Sequence, residues 1–230
     1  MKTTALALLA VCAAACGTPP RDEVPVPPAS PAAPEIPGKW TFEGDAGGAP
    51  PEGFTFGLAG KGRPGSWVVR AEAGAPSGGK VLAQVDADPT DARYPVALAD
   101  GAGVKDLRLS VKFRTVSGEV DRAAGLVFRA ADEKNYYLAR ANALEGNVAL
   151  FRVIRGVRET LRTADAVVPD GAWTELAVEA AGDGIAVFLA GKEVLRAKDS
   201  TPSLSGPGRV GVWTKADSVT LFDDLLLEPR

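Results

Sequence analysis

The chain has 230 residues, with 26 basic and 29 acidic side chains, a formal charge of −3, no histidine and two cysteines. The lack of histidine excludes an imidazole general base, a histidine-containing catalytic triad and imidazole metal ligands. Two cysteines are too few for a four-thiolate zinc site or a disulfide-dense scaffold. The near-neutral charge gives no indication of nucleic-acid binding. Any catalysis therefore has to use carboxylates, tyrosine, lysine or arginine.

Residues 1–15 have the pattern of a signal peptide. Lys2 precedes an apolar run over residues 5–15, which is too short to span a bilayer as a mature helix. Three alanines directly before Cys16 resemble the lipobox of bacterial lipoproteins, and Gly17 after it resembles lipoproteins sorted to the outer membrane. We therefore predict a lipid anchor on Cys16 and an envelope protein held to the membrane only by that anchor. The alternative is a secreted or periplasmic soluble protein.

A proline- and alanine-rich segment follows at residues 16–38. It has no apolar periodicity and therefore cannot form a packed core. We expect a semi-rigid polyproline spacer here, without a binding role of its own.

From residue 39 onward, short alternating apolar and polar segments predict a chain made almost entirely of strands. In chain order the predicted strands cover residues 67–70, 80–85, 94–98, 105–115, 125–129, 136–142, 148–154, 157–163, 173–179, 185–189, 193–198, 209–214 and 219–227. Glycine-containing turns at residues 145–147, 155–156, 182–184 and 190–192 predict hairpins. A short helical turn is expected within residues 199–206. The pattern predicts a single two-sheet, all-β sandwich over residues 39–230.

Four segments carry a resemblance to a known family. They are residues 124–129 (AGLVFR), 135–147 (NYYLARANALEGN), 208–217 (GRVGVWTKAD) and 222–225 (FDDL). They resemble a bacterial family of the concanavalin A-like lectin/glucanase superfamily, labelled laminin G-like, glycoside-hydrolase-family-sixteen-like or 3-keto-disaccharide hydrolase. The resemblance implies a jelly roll of two curved antiparallel sheets. It does not select an activity, because that superfamily holds sugar-binding modules, hydrolases and interaction domains.

The predicted strand at residues 136–142 carries the main candidate site. Tyr136, Arg140 and Asn142 share one face, since alternate residues of a strand point to the same side. An aromatic ring beside fixed donors and acceptors suits a sugar, which presents both C–H groups and hydroxyls. We predict that these residues line a concave ligand site, with Arg129 and Arg152 on flanking strands as further candidates. The alternative is an ordinary polar sheet face.

Basic residues are concentrated in one part of the chain. Residues 105–163 carry twelve basic and seven acidic side chains, and nine of the twelve are arginine. Arginine suits bidentate recognition of carboxylate or sulfate, so an acidic polysaccharide or another anionic envelope component is one hypothesis for the ligand. The alternative is that these arginines cover outward strand faces and blunt sheet edges. Lys215, where a strand ends near the C-terminus, is a further candidate ligand contact.

Carboxylates near the two ends of the domain suggest a cation site. Glu43 and Asp45 lie near the first strand, and Asp223 and Asp224 lie on the last. Terminal strands of sandwiches often pair, and clustered carboxylates suit Ca²⁺. A structural Ca²⁺ is therefore one hypothesis, and no other cofactor is predicted.

The sequence 119–121, Glu-Val-Asp, begins like the Glu-x-Asp-x-x-Glu strand of family-sixteen glycoside hydrolases. The third carboxylate is missing, because alanines follow Arg122, so we expect a solvated loop here. The leading interpretation is an envelope lipoprotein that binds carbohydrate or another envelope component without catalysis. The alternatives are a glycoside hydrolase or 3-keto-disaccharide hydrolase or lyase, and an envelope protein-interaction module.

Overall fold

Residues 38–101 and 103–230 are described by a computed structural model, and they form fifteen strands and one 3₁₀ turn, Pro202–Leu204. The strands are β1 Lys39–Trp40, β2 Phe54–Gly60, β3 Trp67–Ala71, β4 Lys80–Gln84, β5 Arg93–Ala99, β6 Leu107–Ser117, β7 Ala123–Asp132, β8 Asn135–Asn142, β9 Asn147–Ile154, β10 Val157–Asp165, β11 Thr174–Ala181, β12 Gly184–Leu189, β13 Lys192–Lys198, β14 Arg209–Trp213 and β15 Val219–Pro229. The predicted signal peptide, the lipidated Cys16 and the spacer up to residue 37 lie outside the described residues. Within them, no helix is long and apolar enough to cross a membrane.

The strands form two antiparallel sheets that pack face to face. The first sheet has the order β13-β12-β11-β6-β15-β4-β3, and β1 also pairs with β15. The second sheet has the order β10-β9-β8-β7-β14-β5-β2. Neighbours in space are often distant in sequence, as where β15 lies between β6 and β4. This arrangement confirms the predicted jelly-roll sandwich of two antiparallel sheets.

The core lies between the sheets and uses every second residue of each strand. Phe113 and Phe222 contribute from the first sheet, and Leu126, Tyr137 and Val212 contribute from the second, all fully buried. Burial of such side chains stabilises the fold by about 1.5–3 kcal/mol each. The alternation leaves the other residues of each strand on the two outer faces of the sandwich.

All thirteen predicted strands and the helical turn are present, and β1 lies near Glu43, where a first strand was expected without stated bounds, but β2 was not predicted. The β2 segment, Phe54–Gly60, contains two glycines, which are poor strand residues by propensity. Gly57 has a packing reason to be there, because a side chain would place its Cβ 2.3 Å from the Cβ of Glu133. The residue that weakens the sequence pattern is thus the one that lets the β7–β8 turn lie against β2.

The two outer faces differ in character. The outer face of the first sheet carries cross-strand ion pairs, such as Arg108 with Glu179 at 2.6 Å and Lys112 with Glu175 at 2.9 Å. It also carries a small buried apolar cluster of Val81, Ala83 and Leu221. The outer face of the second sheet carries a larger buried apolar cluster, which includes Tyr136 and Trp213, and buried polar atoms lie within it. The outer face of the second sheet is therefore the candidate ligand site.

Candidate functional site

The outer face of the second sheet is concave. The guanidinium carbon of Arg158 in β10 lies 4.8 Å from the ring centroid of Tyr94 in β5, although five strand-to-strand steps separate these strands. In a flat sheet five steps span roughly 24 Å, which is more than the two side chains can bridge. The sheet therefore curls around this side, and we call the curled side the concave face.

Aromatic rings form the floor of the concave face. Trp213 in β14 stacks on Tyr94, with ring centroids 5.7 Å apart and an interplanar angle of 17°. Gly125 in the neighbouring strand β7 makes room for the indole, because a Cβ there would lie 3.1 Å from Cε3 of Trp213. Tyr136 and Phe151 belong to the same buried cluster. The pairing of β14 with β7 thus places a glycine directly beside the largest side chain.

Arg158 lies over this floor. Its guanidinium carbon is 4.6 Å from the ring centroid of Phe151, 4.8 Å from that of Tyr94 and 5.9 Å from that of Trp213. Such contacts between a cation and ring faces contribute about 0.5–2 kcal/mol each, depending on desolvation. Arg158 is half-buried, and β10, which carries it, is an edge strand. The guanidinium is therefore fixed in position by the rings.

Four buried polar atoms of this face have no hydrogen-bond partner among the described residues. They are Tyr136 Oη, Trp213 Nε1, Arg140 Nε and Arg158 Nη1. Burial raises the pKa of Tyr136, so its hydroxyl keeps its proton, and Nε1 of Trp213 lies close enough to this hydroxyl to act against that rise. Unpaired buried polar atoms are uncommon and cost free energy, so a group of them needs an explanation.

A salt-bridged network closes one end of the concave face. Lys215 Nζ lies 2.7 Å from Oδ2 of Asp121 and 2.8 Å from Oδ1 of Asp91. Asn142 donates from Nδ2 to Oδ1 of Asp121 at 2.9 Å. Burial raises the pKa of Asp121, and Lys215 acts against that rise. Asp121 is 1% exposed, so the expectation of a solvated loop is wrong for this residue.

Arg140 lies between that network and the aromatic floor. Its Nη2 donates to Oε2 of Glu145 at 2.7 Å and to Oδ1 of Asn147 at 2.5 Å. Its guanidinium carbon is 5.4 Å from the ring centroid of Phe151, a ring that Arg158 also contacts. Two guanidinium groups therefore share one aromatic ring on this face.

The structure brings together four of the predicted ligand-binding residues. Tyr136, Arg140 and Asn142 lie on the concave face, as their alternation predicted, and Lys215 lies at its end. Asn142 is committed to the fold, because its Oδ1 accepts the backbone N–H groups of Leu144 and Glu145 in the next turn. Ligand contact by these residues stays a prediction.

The prediction that Arg152 and Arg129 lie on the same face as Tyr136, Arg140 and Asn142 is wrong. Arg152 pairs in register with the core residue Tyr137, so it lies on the inner side of the sheet, where it contacts Asp199 at 3.0 Å. Arg129 has a φ of 48° inside a bulge of β7, and it donates to the backbone oxygen of Lys105. The bulge breaks the simple alternation from which its face was predicted.

The carboxylates proposed for calcium have other partners. The terminal strands do pair, as expected. Glu43 and Asp45, however, each accept backbone N–H groups, Asp223 accepts both donors of Ser77, and Asp224 lies 3.3 Å from a lysine. Residues 38–101 and 103–230 contain no group of three or more acidic, cysteine or histidine residues placed to hold a metal. The structure thus does not assemble these four into a cation site.

Sequence reasoning missed Tyr94, Phe151, Trp213 and Arg158 as parts of this face. The alternation within β9 could have put Phe151 beside Tyr136. Nothing local could have joined Tyr94 to Arg158, because they meet only through the curvature of the sheet.

Comparison with known proteins supports the fold. No family model and no curated protein sequence matches the chain. Among solved structures, the carbohydrate-binding module CBM66 from Bacillus subtilis is 23% identical, with a TM-score of 0.60 over 76% of this chain and 95% of that one. A protein of unknown function with a galectin-like fold, also from Bacillus subtilis, is 11% identical with a TM-score of 0.53 over 77% of this chain and 90% of that one.

A mutant of the GH43 protein BlXynB from Bacillus licheniformis is 14% identical, with a TM-score of 0.51 over 72% of this chain and 35% of that one. The match thus spans about a third of that larger protein. At these identities the comparisons establish a shared β-sandwich architecture.

Proposed function

We propose that the protein is a carbohydrate-binding module of the bacterial cell envelope, and that it binds its ligand on the concave face without catalysis. One observation carries the proposal: the four unpaired buried polar atoms, Tyr136 Oη, Trp213 Nε1, Arg140 Nε and Arg158 Nη1, gather on an aromatic face. A sugar offers C–H groups to rings and hydroxyl oxygens to donors, so it complements both features in chemical type, although Tyr136 and Trp213 are fully buried in the free protein. The similarity to CBM66, which is described as a carbohydrate-binding module, supports the same conclusion.

The charged groups of this face favour binding over hydrolysis. Asp91 and Asp121 contact the same ammonium, so their spacing is compatible with a pair of catalytic carboxylates. The Lys215 ammonium, however, lies between them, where a glycosidic bond would have to pass. A glycoside hydrolase is thus the second candidate, and product analysis on any bound glycan tests it.

The envelope location rests on the sequence before residue 38. A signal peptide followed by Cys16 favours a lipid anchor, and the proline-rich spacer favours a domain held away from the membrane. Metabolic labelling with an alkyne fatty acid tests this part. Incorporation that Cys16→Ser abolishes supports the anchor, and unlabelled protein in the soluble fraction supports the secreted alternative.

The test of binding is a glycan array probed with the full chain. We expect the protein to bind at least one class of glycan on the array. We expect the Arg140→Ala variant to lose this binding. Arg108→Ala is the matched control, since Arg108 forms an ion pair on the outer face of the first sheet. Melting curves of both variants establish that they fold. The proposal is contradicted if the protein binds no glycan on the array, or if Arg140→Ala binds glycan as well as the wild type does.

A further inference from the structure

We propose that the glycan bound on the concave face carries an anionic group, a carboxylate or a sulfate, and that the guanidinium of Arg158 binds this group. The inference rests on the proposed carbohydrate-binding function and names the chemical class of its ligand. Three observations support it: most other basic side chains nearby have carboxylate partners, the unpaired polar atoms of the face include donors, and aromatic rings hold Arg158 in place.

Arg158 differs from the other basic residues around it. Most of the twelve basic side chains in residues 105–163 have a carboxylate within 4.0 Å, namely Arg108, Lys112, Arg114, Arg122, Arg129, Lys134, Arg140 and Arg152. Three of the others, Lys105, Arg155 and Arg162, are exposed to water. Arg158 is half-buried, and no carboxylate of the described segments lies within 4.0 Å of it. Asp91 acts on Arg158 only from a longer distance, and a partly desolvated cation with no carboxylate in contact favours an anion as its partner.

On the concave face itself, Arg158 again differs from the other cations in having no carboxylate in contact among the described residues. Lys215 contacts two carboxylates and Arg140 contacts Glu145, so these cations are already neutralised. The basic excess predicted from the sequence therefore does not form a general cationic surface here. The three cations Lys215, Arg140 and Arg158 stand beside three carboxylates, and Arg158 is the one of these cations with no carboxylate within 4.0 Å among the described residues, which favours one anionic group at this place on the ligand.

The unpaired atoms of the face include donors. Trp213 Nε1 lies beside the Tyr136 hydroxyl, which accepts as well as donates, so Arg140 Nε and Arg158 Nη1 are the two donors left without an acceptor. A ligand that satisfies them has to bring acceptors in excess of donors. Neutral sugars bring hydroxyls, which do both, whereas a carboxylate or sulfate brings oxygens that only accept. The donor excess thus favours the anionic class.

The rings hold Arg158 in a way that suits this role. Its guanidinium carbon lies over the ring of Phe151 at 4.6 Å and over the ring of Tyr94 at 4.8 Å. Nη1 is buried and has no partner among the described residues, while the side chain as a whole is half-buried. A guanidinium that is held by rings and still partly exposed can offer its planar fork to a carboxylate.

Paired oligosaccharides that differ only in charge test the inference. The full chain is titrated with oligogalacturonate and with its methyl ester, and with a sulfated oligosaccharide and its desulfated form. We expect the acidic member of one pair to bind at least tenfold more tightly than its neutral counterpart. Arg158→Gln should abolish that difference. Arg162→Gln is the matched control, because Arg162 lies exposed on the same strand.

The outcomes separate this inference from the proposed function. If neutral forms bind as tightly as acidic ones, or if Arg158→Gln keeps the acidic preference, the anionic inference is overturned and sugar binding stands. If no glycan of the array or of the pairs binds, both are overturned. Preference within the galacturonate pair identifies a carboxylate ligand, and preference within the other pair identifies a sulfate ligand. Melting curves check that both variants are folded.

Discussion

The ammonium of Lys215 lies 2.7 Å from Oδ2 of Asp121, a carboxylate that is 1% exposed. The same ammonium reaches Asp91, which lies at the surface. One lysine thus neutralises a buried carboxylate of the 117–122 loop and joins it to an exposed one. The network stabilises the end of the concave face.

Lys215→Met should destabilise the protein, because it leaves Asp121 charged and buried without a partner. We expect the free energy of unfolding to fall by about 3 kcal/mol at pH 7, as for other broken buried pairs. Urea denaturation measures the change. Asp91→Asn is the control, with an expected change below about 1 kcal/mol because that carboxylate is exposed. Equal losses in the two variants would show that Asp121 does not depend on Lys215.

Asp217 should make stability depend on acid pH. Burial acts to raise its pKa, but backbone N–H groups of Glu119, Asp121 and Val120 outweigh burial and lower the pKa overall. A carboxyl whose folded pKa lies below its unfolded value, about 3.9, stabilises the protein above that pH. This contribution is lost as the pH falls through the folded pKa. Asp217→Asn should therefore cost about 2 kcal/mol at pH 7 and progressively less as the pH falls below about 3.9.

Urea denaturation of wild type and Asp217→Asn at several pH values measures this dependence. Glu228→Gln, at an exposed site on β15, is the control and should follow the wild type at every pH. A deficit that stays constant from pH 3 to pH 7 would contradict the role of the charged carboxylate.

Tyr136→Phe should separate binding from stability. It removes a buried hydroxyl whose neighbour is the indole N–H of Trp213, so the free energy of unfolding should change by less than about 1 kcal/mol. Glycan binding should weaken at least tenfold. Tyr137→Phe is the matched control, because the Tyr137 hydroxyl donates to Oδ2 of Asp199 at 2.6 Å on the other side of the sheet.

The control should show the reverse pattern, with a loss of about 1.5 kcal/mol in stability and unchanged binding. Thermal melting and glycan titration of the two variants measure both quantities. A Tyr136→Phe protein that binds as well as wild type would show that the hydroxyl has no ligand.

Gly125→Ala should disturb the aromatic floor. The added methyl would lie 2.6 Å from Cδ1 of Leu138 and 3.1 Å from Cε3 of Trp213, so the indole has to move. We expect a loss of about 2 kcal/mol in stability, as for other overpacked sites, together with weaker glycan binding. Gly47→Ala is the control, since no heavy atom lies within 4 Å of its added Cβ. Unchanged binding by Gly125→Ala would show that the position of Trp213 is not critical.

The alternation of single strands could be predicted because it is local. Tyr136, Arg140 and Asn142 fall on one face for that reason, and the pairing of β1 with β15 follows a general habit of sandwiches. The face of Arg129 could not be predicted, because a bulge inserts residues that alternation does not count.

The centre of the site could not be predicted for a different reason. Arg158 and Tyr94 belong to strands that are not adjacent in the sheet, and their contact depends on the curvature of five intervening steps. Gly57 lowers the strand propensity of the β2 segment, so β2 was not predicted from the sequence. Close packing against Glu133 explains why a glycine is at this position. Curvature and close approach are properties of the assembled sheet, so neither is visible in the pattern of one strand.

The stacking of Arg158 on three rings also affects the entropy of binding. A long side chain that becomes ordered when a ligand binds loses rotameric freedom, at a cost of about 0.5–1.5 kcal/mol. Arg158 is already ordered by Phe151, Tyr94 and Trp213 in the free protein. The concave face is therefore preorganised, and a ligand that fits it meets a side chain whose conformational freedom was lost when the protein folded.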